Sequence, residues 1–386
     1  MRRRISKVLF SYIPNIIKTG ILSNMPSLYD LFEISPTSCN IMITNRCNLK
    51  CIMCGQWSRG SLYELTTGQW KDVINDLKSN KIKNIHFTGG EPLLRTDLSE
   101  LIAYCTQMGF VTGLTTNGML VSKDTLLNLI DAGLRSIALS IDSLYGDYER
   151  IRGVDNSFVK VEEAAKNIAR YRARGKIDAY INFTLMKENL DDFKEVKSFA
   201  DNLELPVAVC LLDKNSSIFN LEVNRTKFWI DTSTDGISSQ RLPILLEYLK
   251  SEKLRKPSSL LINFSMIDFI SKYFDDPRMV DIPCVSSQDR VYIDPYGNLL
   301  SGCLAMGNFG NIKDISFGKL IKDAKYRTSK KNMFYKRCTG CSCGYQYNIS
   351  HCTGLILKDV FDRIKYSWKR RYGRTRKTVG NNSDQR

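Results

Sequence analysis

Cys47, Cys51 and Cys54 fall within eight residues, in the spacing Cys-x3-Cys-x2-Cys. Thiolates are soft ligands and select zinc, copper(I) or iron–sulfur clusters. A 4Fe–4S cube takes four cysteines when every iron is held by protein. Three leave one iron open, and an open position lets a metal centre bind a small molecule and act on it, as in catalytic rather than structural zinc sites. Three buried thiols, or part of a zinc site, are the plainer readings of the same residues.

A second group of cysteines lies late in the chain: Cys284, Cys303, Cys338, Cys341, Cys343 and Cys352. Cys284, Cys303 and the Cys338-x2-Cys341 pair can complete a 4Fe–4S cluster with no open iron, with Cys343 as the rival ligand and His351 as an outside candidate. Tetrahedral zinc is the alternative for such a set. Cys39, Cys105 and Cys210 stand apart and suit core thiols, since free cysteine packs as a small hydrophobe. Cys210 lies nearest the expected cavity. His86 reads as a packed core histidine.

These residues need elements to hold them. From residue 40 to about 212 the pattern alternates strand and helix. Strands are expected at 40–44, 84–88, 111–115, 136–140, 178–185 and 207–211. Helical spacing falls at 67–80, 98–108, 123–132, 159–174 and 190–202. Such alternation implies a parallel sheet with right-handed crossovers. Six units are too few for an eight-stranded barrel, so the expected fold is α/β, a partial (β/α)6 TIM-like barrel with ligands at the carboxyl ends of its strands. The expected divisions are a basic amphipathic segment at 1–37, the barrel at 38–215, a helical bridge at 216–280, a small cysteine-rich unit at 281–354, and a basic helix and tail at 355–386. The cysteine-rich unit contains a hairpin at 290–300 that turns at Pro295-Tyr296-Gly297-Asn298.

The chain has 386 residues and a formal net charge of +16. Residues 1–29 carry five basic side chains and no acid, and residues 363–386 carry nine and one. A nucleic-acid enzyme carries its basic stripe on the folded body, so nucleic acid is not the expected partner. Basic ends suit solvated tails or an anionic surface. Leu9, Ile13, Ile16 and Ile17 share one helical face. With a similar pattern at 355–372 they admit peripheral membrane contact, against packing on the barrel. No run approaches the roughly 20 apolar residues that span a bilayer, and no signal-peptide cleavage pattern follows the basic start. The expected location is the cytoplasm, where cysteine clusters favour metal over disulfides.

The CNLKCIMC stretch resembles the CxxxCxxC motif of the radical S-adenosylmethionine (SAM) superfamily, with Met53 where many members have an aromatic residue. The resemblance covers about residues 38–355. It implies that the amino and carboxylate groups of SAM chelate the open iron. The reduced cluster then gives one electron to the sulfonium, and the resulting 5′-deoxyadenosyl radical takes a hydrogen atom from an unactivated carbon. Gly89-Gly90-Glu91-Pro92 follows Cys54 by 35 residues and is similar to the family segment that meets the SAM amino group. Glycines allow close approach of backbone to a ligand, and a carboxylate accepts hydrogen bonds from an ammonium. Thr115-Thr116-Asn117-Gly118 and Ser140-Ile141-Asp142-Ser143 resemble pocket-lining positions, through Asn117, Ser140 and Asp142. Ser140 and Arg152 resemble the pair that bind the SAM carboxylate, where a guanidinium fork suits the task; a surface ion pair is the plainer role for Arg152. Asn182 and Thr184 are candidates for ribose contact. Asn189 is another, with a turn role as its alternative. The late cysteines and the Val291–Cys303 hairpin resemble the auxiliary-cluster domains called twitch and SPASM, implying a second 4Fe–4S cluster.

Two substrate classes follow. One is a small molecule or glycan unit undergoing dehydrogenation, epimerisation or rearrangement. The other is a peptide, as for many SPASM relatives. The short stretch before the first strand leaves no room for a leader-binding domain, which favours the first. An external electron donor such as flavodoxin or ferredoxin is implied in either case. A non-catalytic iron–sulfur or zinc protein is the remaining alternative.

Overall fold

The structure, a computed structural model, describes residues 17–18, 21–22, 25–31, 34–212, 230, 236–275, 284–302 and 307–335. Of the late cysteines only Cys284 lies among these. Cys303, Cys338, Cys341, Cys343, Cys352, His351 and the 355–372 pattern fall outside them, as do Leu9, Ile13 and Ile16.

Six strands alternate with helices: β1 (Ser38–Thr44), β2 (Asn84–Gly89), β3 (Val111–Thr116), β4 (Ser136–Ser140), β5 (Asp178–Leu185) and β6 (Val207–Leu211). Between them lie α1 (Thr67–Ser79), α2 (Leu98–Gln107), α3 (Lys123–Asp131), α4 (Tyr145–Arg152), α5 (Phe158–Ala173) and α6 (Phe193–Asn202). All neighbouring pairs are parallel, the architecture of a partial TIM-like barrel. Side chains alternate across each strand. Ile41, Ile85, Leu114, Leu139, Ile181 and Val209 join the main apolar core with the helices. The opposite residues, including His86, Thr115, Ser140, Asn182 and Cys210, line the lumen and are only half-buried.

The helices start where the sequence provides caps. Thr66 accepts from the Gln69 N–H and the Gln69 side chain returns to the Thr66 N–H, a capping box that fixes α1. Trp70, Ile74 and Leu77 then recur at helical spacing and are fully buried. Ser122 caps α3 by accepting from the Thr125 N–H. The bridge expected at 216–280 contains α7 (Gly236–Arg255) and α8 (Phe264–Asp275). It meets the β6 edge where the Leu261 N–H donates to the Val207 carbonyl at 2.8 Å, and the Tyr273 hydroxyl donates to the Leu212 carbonyl at 2.9 Å.

The hairpin near residue 295 is present as β7 (Arg290–Ile293) and β8 (Asn298–Leu300), followed by β9 (Asn308–Asn311). It does not form a sheet of its own. β7 pairs in parallel with β1, with Ser38 opposite Arg290 and Ile41 opposite Ile293. The result is one nine-stranded sheet in the order β6-β5-β4-β3-β2-β1-β7-β8-β9. β1 therefore lies inside the sheet, bonded on both sides, and the loop that leaves its carboxyl end starts from a held strand.

Candidate active site

The cysteine loop leaves β1 at Thr44. Gly90 N–H donates to the Thr44 carbonyl at 2.8 Å, and Glu91 N–H to the Arg46 carbonyl at 2.7 Å. A Cβ on Gly90 would stand 2.1 Å from the Arg46 oxygen, and one on Gly89 2.3 Å from the Thr44 oxygen. The two glycines are thus required by the approach of the chain's own β1 exit. The Glu91 carboxylate is fully buried. It accepts from the Leu93 N–H at 3.1 Å, the Thr116 hydroxyl at 2.8 Å and the Asn117 N–H at 2.8 Å. Burial outweighs these donors and pushes its pKa up to about 7. Glu91 ties the β2 and β3 ends together.

Arg152 ends α4, and Gly153 follows in the left-handed conformation at φ 70°. The α4 end is bonded to the cysteine loop. Lys50 N–H donates to the Arg152 carbonyl at 3.0 Å and Ile52 N–H to the Ile151 carbonyl at 2.9 Å. A Cβ on Gly153 would lie 2.4 Å from the Lys50 oxygen. The Arg152 guanidinium is buried. Its Nη2 stands 2.7 Å from Asp142 Oδ2, its Nη1 donates to Cys51 Sγ at 3.6 Å, and it lies over the Tyr148 ring at 5.6 Å. Its Nε has no hydrogen-bond partner. The surface ion pair expected as the plainer role for Arg152 is a buried one. Burial alone would lower the Arg152 pKa, but Asp142 and Cys51 outweigh it and hold the group above its ordinary value. Asp142 is fully buried and also accepts from the Thr184 N–H at 2.7 Å.

Asn117 reaches the same loop from β3, its amide donating to the Asn48 side chain at 2.7 Å. Ser140 sits at the end of β4 opposite Asn182 on β5. The Cys210 thiol donates to Asn182 Oδ1 at 3.1 Å. Ser140, Asn182 and Cys210 therefore share the lumen side of the strand ends, whereas Cys39 and Cys105 are fully buried in the core. Asn189 serves a turn, donating to the Asp142 and Thr184 carbonyls and accepting from the Met186 N–H. His86 Nε2 bonds the Thr115 hydroxyl at 2.7 Å.

Residues not anticipated as part of the site brace the loop from its far side. Asn45 donates to the Tyr296 hydroxyl at 2.9 Å and to the Gly60 carbonyl, and accepts from Gln56 at 2.5 Å. Tyr296 itself donates to the Gly60 carbonyl at 2.6 Å. Glu64 accepts from the Asn45 N–H and the Thr44 hydroxyl. Tyr296 stands in the hairpin turn seen in the sequence, but only the β1–β7 pairing shows what it touches.

Cys47, Cys51 and Cys54 are free thiols. Burial pushes Cys47 up to about 12, and raises Cys51 against the opposing pull of Arg152. Metal binding at the loop must therefore release protons. Among the described residues no three histidine, cysteine or acidic side chains converge on one metal ion. In a 4Fe–4S cluster each thiolate would hold a separate iron. The buried Arg152 Nε fits an anionic partner arriving at the same place.

A parallel α/β partial barrel thus carries a three-thiol loop beyond its first strand, at the strand ends where such folds bind ligands. Residues 41–200 match the family described as the radical SAM superfamily. The matched family implies a 4Fe–4S cluster and SAM as cofactors. The chain is 24% identical over 312 residues to an Fe-coproporphyrin III synthase of Methanosarcina barkeri, across 73% of this chain and 72% of that one. It is 30% identical over 188 residues to a PqqA peptide cyclase of Bradyrhizobium diazoefficiens, spanning 48% of each chain and so about half of that relative's length. The fold is shared with Streptococcus suis SuiB bound to S-adenosylmethionine, at 17% identity and a TM-score of 0.59 over 84% of this chain and 80% of that one. No described helix is long and apolar enough to cross a membrane.

Proposed function

We propose that Cys47, Cys51 and Cys54 hold a 4Fe–4S cluster with an open iron, and that this chain cleaves SAM reductively to oxidise or rearrange a carbon centre of its substrate. The cluster and SAM, when bound, supply a 5′-deoxyadenosyl radical that takes a hydrogen atom from the substrate. The carrying observation is the buried Arg152 guanidinium, which contacts Cys51 and keeps Nε without a partner. In this reading Arg152 and Ser140 receive the SAM carboxylate. Asp142 acts through Arg152. The Gly89–Gly90–Glu91 backbone meets the amino group, while the Glu91 side chain fixes that segment. Asn117 steadies the loop through Asn48, and Asn182 faces the ribose. The strand ends exclude water from the radical.

Cys284, Cys303, Cys338 and Cys341, with Cys343 as rival, are proposed to hold a second cluster. About eight irons per chain after anaerobic reconstitution supports two cubes, and about four with one zinc refutes the second. The test of the main reading is release of 5′-deoxyadenosine from SAM with dithionite. No release, or equal release by Cys47→Ala, refutes it.

The substrate is proposed to be a small molecule or glycan, and a flavodoxin- or ferredoxin-like donor is proposed to supply the electron that reduces the cluster. A peptide is the second reading, favoured by the PqqA peptide cyclase relative. Deuterium transfer from labelled candidates into 5′-deoxyadenosine separates the two. Contact of the basic ends with membrane is proposed as well, and failure to co-sediment with anionic liposomes at low salt removes it.

A further inference from the structure

We infer that the buried Asp142–Arg152 pair sets the reduction potential of the cluster on the Cys47–Cys51–Cys54 loop, Arg152 acting on the Cys51 sulfur and Asp142 acting through Arg152. This rests on the reading above that the loop holds a cluster.

Reduction adds one negative charge to a cluster whose thiolates are already anionic. A nearby cation and an N–H···S hydrogen bond both favour the reduced form, and these are among the levers that set cluster potentials. Arg152 supplies both, since its Nη1 donates to Cys51 Sγ at 3.6 Å. Cys51 is the most buried of the three thiols, where water screens a neighbouring charge least.

The contact is held from two directions. The backbone bonds from Lys50 and Ile52 to the α4 end keep the guanidinium and the sulfur from drifting apart. Asp142 holds the outer nitrogen at 2.7 Å, with side-chain exposures of 7% for Arg152 and 0% for Asp142. Asp142 is anchored in turn by the Thr184 N–H, and the Asn189 amide holds its carbonyl. A buried ion pair is weak as a source of stability, because desolvation consumes its attraction. An apolar pair of the same shape would serve packing equally well. What the ion pair adds is a fixed charge beside one sulfur, tempered by an anion. Removing the cation should therefore lower the potential, and removing the anion should raise it.

The test uses the full chain, reconstituted anaerobically and titrated with dithionite and mediators without SAM, so that loss of SAM binding cannot contribute. The reduced cluster is followed by electron paramagnetic resonance. Arg152→Gln should lower the ratio of reduced to oxidised cluster at least tenfold at a fixed potential, about 59 mV for a one-electron couple. Asp142→Asn should move it the other way, and Arg152→Lys should fall between wild type and Arg152→Gln. If Arg152→Gln retains its iron and titrates with wild type, or if both variants shift the same way, the inference is overturned. Should Arg152→Gln lose its iron, Asp142→Asn decides, and no upward shift overturns the inference. If the wild-type chain binds no cluster, the functional reading fails first, and the iron content shows that separately.

Discussion

Gly90→Ala should detach the exit of β2 from the root of the cysteine loop. The added Cβ would stand 2.1 Å from the Arg46 oxygen and 2.6 Å from the Asn45 oxygen. Both are backbone atoms and cannot swing aside as a side-chain tip can. Relief requires the Gly90–Glu91 segment to move away, stretching the bonds to Thr44 and Arg46 at 2.8 and 2.7 Å. Two hydrogen bonds at about 1 kcal/mol each, with about 1–3 kcal/mol for overpacking, give a loss of about 3–5 kcal/mol. That is a large share of a typical stability of about 5–15 kcal/mol. The assay is urea denaturation followed by fluorescence, with iron bound per chain measured on the same preparation. Gly146→Ala is the control, because nothing lies within 4 Å of its added carbon, and at this helical position it should lose no more than about 0.5 kcal/mol and can gain up to about 1 kcal/mol. Gly90→Ala within that same margin, with full iron content, would refute the reasoning.

Other outcomes follow from the same geometry. Burial, with Arg290 nearby, holds the His86 pKa down at about 4 from 6.5. A depressed histidine contributes stability that is present above 6.5 and is lost as the pH falls towards 4, up to about 3 kcal/mol. His86→Asn should flatten the dependence of the urea midpoint in that window, and an unchanged slope would show that the ring does not titrate there. Tyr296→Phe removes the hydroxyl shared with Gly60 and Asn45. It should cost about 1–2 kcal/mol and speed amide exchange over residues 56–64; unchanged exchange would detach the hairpin from the loop. Cys105→Ala should cost about 1–2 kcal/mol by leaving a small cavity with iron content unchanged, whereas loss of iron would contradict its placement in the core.

The barrel strands were legible because each buried set recurs at a period of two and each intervening helix at 3.6. β5 and β6 keep the expected bounds, and β1 and β2 differ from them by a residue or two. α4 was missed because its sequence, YGDYERIR, carries a glycine and four charges and buries only Tyr148, Ile151 and Arg152. Its reason for being helical lies in the cysteine loop it supports. The Asp142–Arg152 contact was hidden for a related reason. Both residues read as ligand contacts when taken singly, and only packing shows that they spend part of their charge on each other. The β1–β7 pairing could not be read at all, since no local pattern says which distant strand fills an edge.

That pairing also governs how the chain can be made. Thr37 donates to Asp289 across a separation of 252 residues, and β1 meets β7 in the same place. At about 5–20 residues per second of synthesis, β1 waits roughly 12–50 s for its second neighbour. Through that interval the barrel half presents an open strand edge, the kind of edge that recruits other chains, and the loop that follows it lacks its Tyr296 brace. A nascent chain that stalls before the hairpin therefore carries its three-thiol loop on an unfinished sheet, and the bracing of that loop waits for residues 290–300 to arrive.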